Sequence, residues 1–147
     1  MGYRFRLQKV MDVKKHAEDR KKEDLAAAIR VLDREEQRLG DLHEKGEECR
    51  REMIRPTEEA LDMAREKMNW ERFHGLMEEI LRQRKTVDHS RSRVDRERDA
   101  LVEAAKARKT LESLRDRGLL EYMRNWLKRE QKESDEVGRD TFLRNSK

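Results

Sequence analysis

The residues able to do chemistry are present in this chain, but their spacing does not assemble them. The four histidines, His16, His43, His74 and His89, are scattered. None stands three or four residues from another, the separation that puts two imidazoles on one helix face for a metal. The single cysteine, Cys49, lies six residues from His43, which is not ligand spacing on a helix, and one cysteine excludes an internal disulfide framework. Carboxylates abound, yet on solvated helices abundant Glu and Asp are the ordinary expectation and not a catalytic pair. The six glycines are isolated, and no Gly-Lys-Ser/Thr segment occurs to cradle a phosphate. No arrangement of nucleophile and base suggests a water-excluding pocket. The sequence therefore predicts no metal, no cofactor and no catalysis, and places function in contacts with other macromolecules.

Aromatic side chains are the natural anchors for such contacts, and they make up only 5% of the chain. They fall in three groups: Tyr3 and Phe5; Trp70 and Phe73; Tyr122, Trp126 and Phe142. Phe73 and Tyr122 also fit positions in a helix–helix seam, where they could serve as packing alone. Trp70 and Trp126 fall outside the expected seam and are the stronger candidates for partner contact.

Composition restricts the elements that can carry these groups. Of 147 residues, 48% are charged and 34% hydrophobic, with one proline, Pro56. So few apolar groups cannot offset burial of so many charges in a compact globule. Abundant Leu, Ala, Glu, Lys, Arg and Met favours long solvated helices. The net charge of +4 is divided evenly about Pro56, and the longest basic run is Arg20-Lys21-Lys22. Mixed signs, with favourable i,i+4 pairs such as Glu18–Lys22, Asp41–Lys45, Glu47–Arg51 and Glu78–Arg82, argue against a nucleic-acid-binding stripe. The longest apolar run, Leu25 to Ile29, is too short to span a bilayer, and the first residues do not form a signal peptide. A soluble cytoplasmic protein is expected.

Two heptad patterns flank Pro56. In the first, Leu25, Leu32 and Leu39 recur every seven residues, with Ile29 and Leu42 beside them. Lys14, Lys21 and Gly46 fall where apolar residues are expected. In the second, Phe73, Ile80, Val87, Val94 and Leu101 recur every seven residues and lead on to Leu111 and Tyr122. Arg84, Arg91 and Arg98 read as the second seam position, a half-apolar seam in which long arginine stems cover apolar surface. Pro56 suits the first turn of a new helix, followed by acidic Glu58 and Glu59, and Asn69 is a second possible cap. The reading is a single all-α coiled-coil hairpin: helix about 4–54, tip about 57–68, helix about 70–137, and a frayed tail to 147. An antiparallel fold-back is favoured over a continuous parallel dimer, because Pro56 inside a long helix costs about 3 kcal/mol or more.

The opening Tyr3-Arg4-Phe5-Arg6-Leu7-Gln8-Lys9-Val10 resembles the start of the flagellar FliJ family. So do Asn69-Trp70-Glu71-Arg72-Phe73 in mid-chain, Lys109-Thr110-Leu111-Glu112-Ser113-Leu114-Arg115, and Lys132-Glu133-Ser134-Asp135-Glu136-Val137 near the end. The resemblance implies a long antiparallel two-helix coiled coil similar to the central stalk of rotary ATPases. It also implies a non-enzymatic adaptor of type III protein export, which enters the pore of the hexameric export ATPase and links it to the membrane export gate. Secretion chaperones are further candidate partners, and the protein would reach the inner membrane through the apparatus without inserting. Carried over by position, Phe5, Leu7, Val10, Tyr122 and Trp126 would approach the ATPase ring. Leu42, Cys49, Trp70, Phe73, Met77, Ile80 and Arg84 would face the gate; Cys49 and Met77 stand where family members can carry larger or aromatic groups. Trp126 with Asp135-Glu136-Val137-Gly138 is also similar to injectisome stalk proteins of the YscO type. A self-associating scaffold is the rival from another class.

Overall fold

The computed structural model describes residues 2–54 and 62–146, and among these the only regular elements are two helices: α1, Gln8–Ile54, and α2, Met63–Asn145. The expected Pro56, Thr57, Glu58 and Glu59 lie outside the described residues. The chain divides into two units. One comprises Met1–Asp19 with Glu103–Lys147, the other Arg20–Val102. In each unit α1 and α2 run antiparallel, which gives the all-α helical pairing expected from the heptads.

Helix α2 starts earlier than expected. The Asp62 carboxylate accepts hydrogen bonds from the Ala64 and Arg65 backbone N–H groups at 3.1 and 3.4 Å. It thus satisfies donors that would otherwise be orphaned in the first turn. Asp62 is therefore the cap, and Asn69 lies inside the helix, where its carbonyl accepts from the Cys49 thiol at 4.0 Å. Residues 63–68, expected in the tip, belong to α2. At its other end α2 continues past Gly138 to Asn145 with no positive φ. The α1 helix begins at Gln8, four residues later than expected, after an irregular segment whose Phe5 carbonyl accepts from Gln8 N–H at 3.2 Å.

The seam of the unit formed by Arg20–Val102 is narrow. On α2 its buried residues are Ile80, Gln83, Val87, Ser90 and Val94, at alternating spacings of three and four. Ala28, Leu42, Gly46 and Cys49 are buried opposite them on α1. The apolar row is the one the heptads predict. The second row is not: Gln83 and Ser90 occupy it, while Arg84, Arg91 and Arg98, one residue further round the helix, are exposed. A guanidinium in a seam this thin would lose hydration without enough partners, whereas an amide or hydroxyl can be satisfied locally. Gln83 Nε2 donates to the Glu35 carbonyl at 3.0 Å and to its carboxylate at 2.6 Å. No buried side-chain N or O among the described residues lacks a partner.

Gly46 sits in this seam for a steric reason. A Cβ there would stand 3.2 Å from Met77 Cε and 3.6 Å from Ile80 Cδ1. The glycine costs about 1 kcal/mol of helix propensity but admits two larger side chains from α2. Exposed arginines, Arg91 among them, bridge the edges of the seam. Arg91 reaches Glu36 at 3.0 Å, Arg72 reaches Glu52 at 3.2 Å, and Arg38 reaches Glu79 at 4.0 Å. Each such exposed pair contributes about 0–1 kcal/mol, enough to favour register and little else. Along α1 the Glu47 carboxylate pairs with Arg50 at 3.0 Å, while Arg51, its expected partner, donates to the Glu47 carbonyl.

The candidate contact surfaces

In the unit that contains both chain termini, a polar cluster fixes how α1 meets α2. Arg108 occupies a seam position that the heptads reserve for an apolar residue. It donates to buried Glu18 across the seam and to Glu112 one turn along its own helix at 2.8 Å. The hydrogen bond to Glu18 and then that to Glu112 raise the pKa of the Arg108 guanidinium above its ordinary value. Shifting the helices against one another would leave buried Glu18 without this partner, which penalises other registers. Further toward the start of α1, Met11 is completely buried.

Beyond Met11 the irregular N-terminal segment closes onto α2 through Tyr3. Its ring lies 5.8 Å from that of Tyr122, tilted at 47°. Gly118, one turn before Tyr122, provides the space: a Cβ there would overlap the Tyr3 hydroxyl and stand 3.2 Å from Cζ. Of the residues expected to face the ATPase, Phe5 and Tyr122 are half-buried in this arrangement, and Leu7, Val10 and Trp126 are exposed. All five belong to one unit. The sequence reading had Tyr3 among the aromatics but gave Gly118 and the Glu18–Arg108 pair no role. The signals were a glycine inside a helical pattern and an arginine in a seam row.

Past Tyr122 every residue of α2 is exposed. Tyr122, Met123, Trp126 and Leu127 border an open, almost wholly apolar hollow of about 270 Å³. With Leu119 and Leu120 they extend an apolar face that the aromatic-based reading did not include; its signal was the 119–123–126–127 spacing.

The expected gate-facing residues divide in two. Leu42, Cys49 and Ile80 are 5%, 1% and 3% exposed. They are seam residues and present no surface, because the small Gly46 admits Met77 and Ile80 from the facing helix beside them. Trp70 and Arg84 are exposed, and Phe73 and Met77 half-buried. Trp70 stacks on His74 at 5.0 Å and 25° and meets Phe73 edge-on at 6.2 Å. Together with Lys67, Glu71, Gly75 and Glu78, Trp70 and His74 line a shallow hollow of about 600 Å³ on the outer side of α2.

Among the described residues no cluster of histidine, cysteine and carboxylate groups could hold a metal, and no helix is long and apolar enough to cross a membrane. Paired antiparallel helices define the class of the fold, an all-α coiled coil. The comparisons give that class its family. Residues 3–147 match the family described as the flagellar FliJ protein, and the chain belongs to it. Membership makes it a stalk-type component of type III protein export. The fold is also similar to that of a candidate YscO homolog from Chlamydia trachomatis, with a TM-score of 0.77, 18% identity and 94% of each chain covered. Among curated proteins none matches this sequence.

Proposed function

We propose that the unit holding the termini binds within the pore of the hexameric export ATPase and promotes its assembly or turnover. The observation that carries this reading is the docking of Tyr3 against Gly118 and Tyr122. It fixes an aromatic end beside exposed Leu7 and Val10, so these contact residues are held in place before any partner arrives. Preorganisation of this kind lowers the ordering cost of binding. The Arg20–Val102 unit would contact the membrane export gate through Trp70, Phe73, Met77 and Arg84, whereas Leu42, Cys49 and Ile80 support that surface from the seam. The protein would then act in the cytoplasm, reaching the inner membrane through the export apparatus.

Sparse contacts suit a stalk inside a cycling ring. Tight apolar attachment would oppose each conformational step, whereas screened charge contacts of about 0–1 kcal/mol each would not. The test is the turnover and oligomerisation of the purified ATPase with and without this protein. Stimulation that falls on Trp126→Ala, with helicity unchanged, supports the reading. Absence of any effect of the wild-type protein on either quantity refutes it.

A further inference from the structure

The outer face of α2 over residues 119–127 carries a feature that the adaptor reading does not require. Leu119, Leu120, Met123, Trp126 and Leu127 are each 40–57% exposed. Their spacing gathers them on one face of two successive helical turns. This face is turned away from the seam, which Gly118 and Tyr122 mark through their contacts with Tyr3. Asp116 closes the apolar stripe at one end and Glu130 at the other.

Cations border it. Arg117, Arg124 and Lys128 follow one edge at helical spacing, with Glu121 the one carboxylate among them, and Arg129 stands on the other. None of these four pairs with a carboxylate among the described residues. Unpaired cations on both edges of a tryptophan- and leucine-bearing face call for an anionic partner with an apolar interior.

We propose that this face rests on the surface of an anionic phospholipid bilayer. A convex helical face suits a plane. Its leucines, methionine and tryptophan would enter the boundary between headgroups and acyl chains, while the arginine and lysine stems extend back to the phosphates. Contact is interfacial and reversible, since two helical turns cannot span a bilayer. The proposal is independent of the ATPase reading, and because both use Trp126 the two contacts would exclude one another.

The test uses the full chain carrying Trp70→Phe, which leaves Trp126 as the sole tryptophan. Vesicles of equimolar phosphatidylglycerol and phosphatidylcholine should shift Trp126 emission to the blue, and acyl-brominated lipid should quench it. Vesicles of phosphatidylcholine alone should do neither, and salt should weaken the effect. Replacing Arg124 and Lys128 together by alanine should weaken binding about thirtyfold, at about 1 kcal/mol per cation near an anionic surface. Leu120→Ser with Leu127→Ser should abolish the shift; circular dichroism should be unchanged in both variants. No shift on anionic vesicles, an equal shift on neutral ones, or full binding by the alanine variant overturns the proposal. A shift produced by the purified export ATPase and by no vesicle assigns the face to the ring and overturns it as well.

Discussion

Replacing Gly118 by alanine sets a local gain against a tertiary loss at one atom. Alanine in a helix interior is favoured over glycine by about 1 kcal/mol, so on α2 alone the substitution stabilises. In the folded protein the new methyl group overlaps the Tyr3 hydroxyl and crowds Cζ. The tyrosine ring is rigid, so it must withdraw, which costs its contact with Tyr122, worth about 0.5–1.5 kcal/mol, and some of its burial. The two effects should nearly cancel in the wild type, leaving a change between about zero and 1 kcal/mol destabilising. In a Tyr3→Ala background the loss has already been taken, and the same substitution should stabilise by about 1 kcal/mol. A double-mutant cycle in urea, read by circular dichroism, should therefore give a coupling energy of about 1–2 kcal/mol. Equal effects in the two backgrounds, within about 0.3 kcal/mol, would mean that Tyr3 does not occupy the Gly118 notch. Stimulation of the export ATPase should fall in Gly118→Ala with little change in helicity, because the substitution disturbs the contact end and not the helix.

Val87→Ala, at the centre of the seam, should cost about 2 kcal/mol in urea unfolding, from lost methyl burial and the small cavity left behind. Asp62→Ala should cost about 1 kcal/mol and speed amide exchange in the first turn of α2, with Asn69→Ala leaving that turn's protection unchanged. Gln83→Ala should destabilise by about 1 kcal/mol, since the half-buried Glu35 carboxylate loses its donor while its carbonyl keeps the helical one; no change would mean that water replaces the amide.

The apolar row of α2 was legible because Ile80, Val87 and Val94 are β-branched and recur every seven residues. Its companion row was misread because two regular rows lie side by side. Arg84, Arg91 and Arg98 repeat as strictly as Gln83, Ser90 and Glu97, and residue type alone does not say which row faces inward. Burial decides it, and burial depends on the partner strand of side chains on α1, above all on Glu35. The start of α2 failed for a related reason: Asp62 and Asn69 are both competent caps, and which is used depends on where the helix first finds packing. Assigning Leu42, Cys49 and Ile80 to a contact surface placed seam residues outside the seam. A heptad identifies a face but gives no depth, and Gly46 supplies the depth at this part of the seam. Trp70 and Trp126 were correctly placed as exposed because neither fits the seam row.

The exposed end of α2 leads to a last prediction, about order. Residues 123–145 of the helix have no side chain buried against α1. A helix of this length, rich in charge and interrupted by Gly138, is marginal in water from propensity alone, since most helical stability in proteins comes from a packed face. In the free protein its amides should exchange with little protection, while those of residues 80–94 should exchange through much rarer opening, because their side chains are held in the seam. Adding the partner that covers Leu119, Met123 and Trp126 should slow exchange through residue 127 at least. The acidic stretch from Glu130 to Glu136 distinguishes the two candidate partners: it is repelled by an anionic bilayer, so lipid should protect the helix only as far as the cationic border extends. A protein ring can supply its own cations and extend protection beyond Glu130. Strong protection of residues 130–145 in the free protein would refute the premise that this part of α2 depends on what it binds.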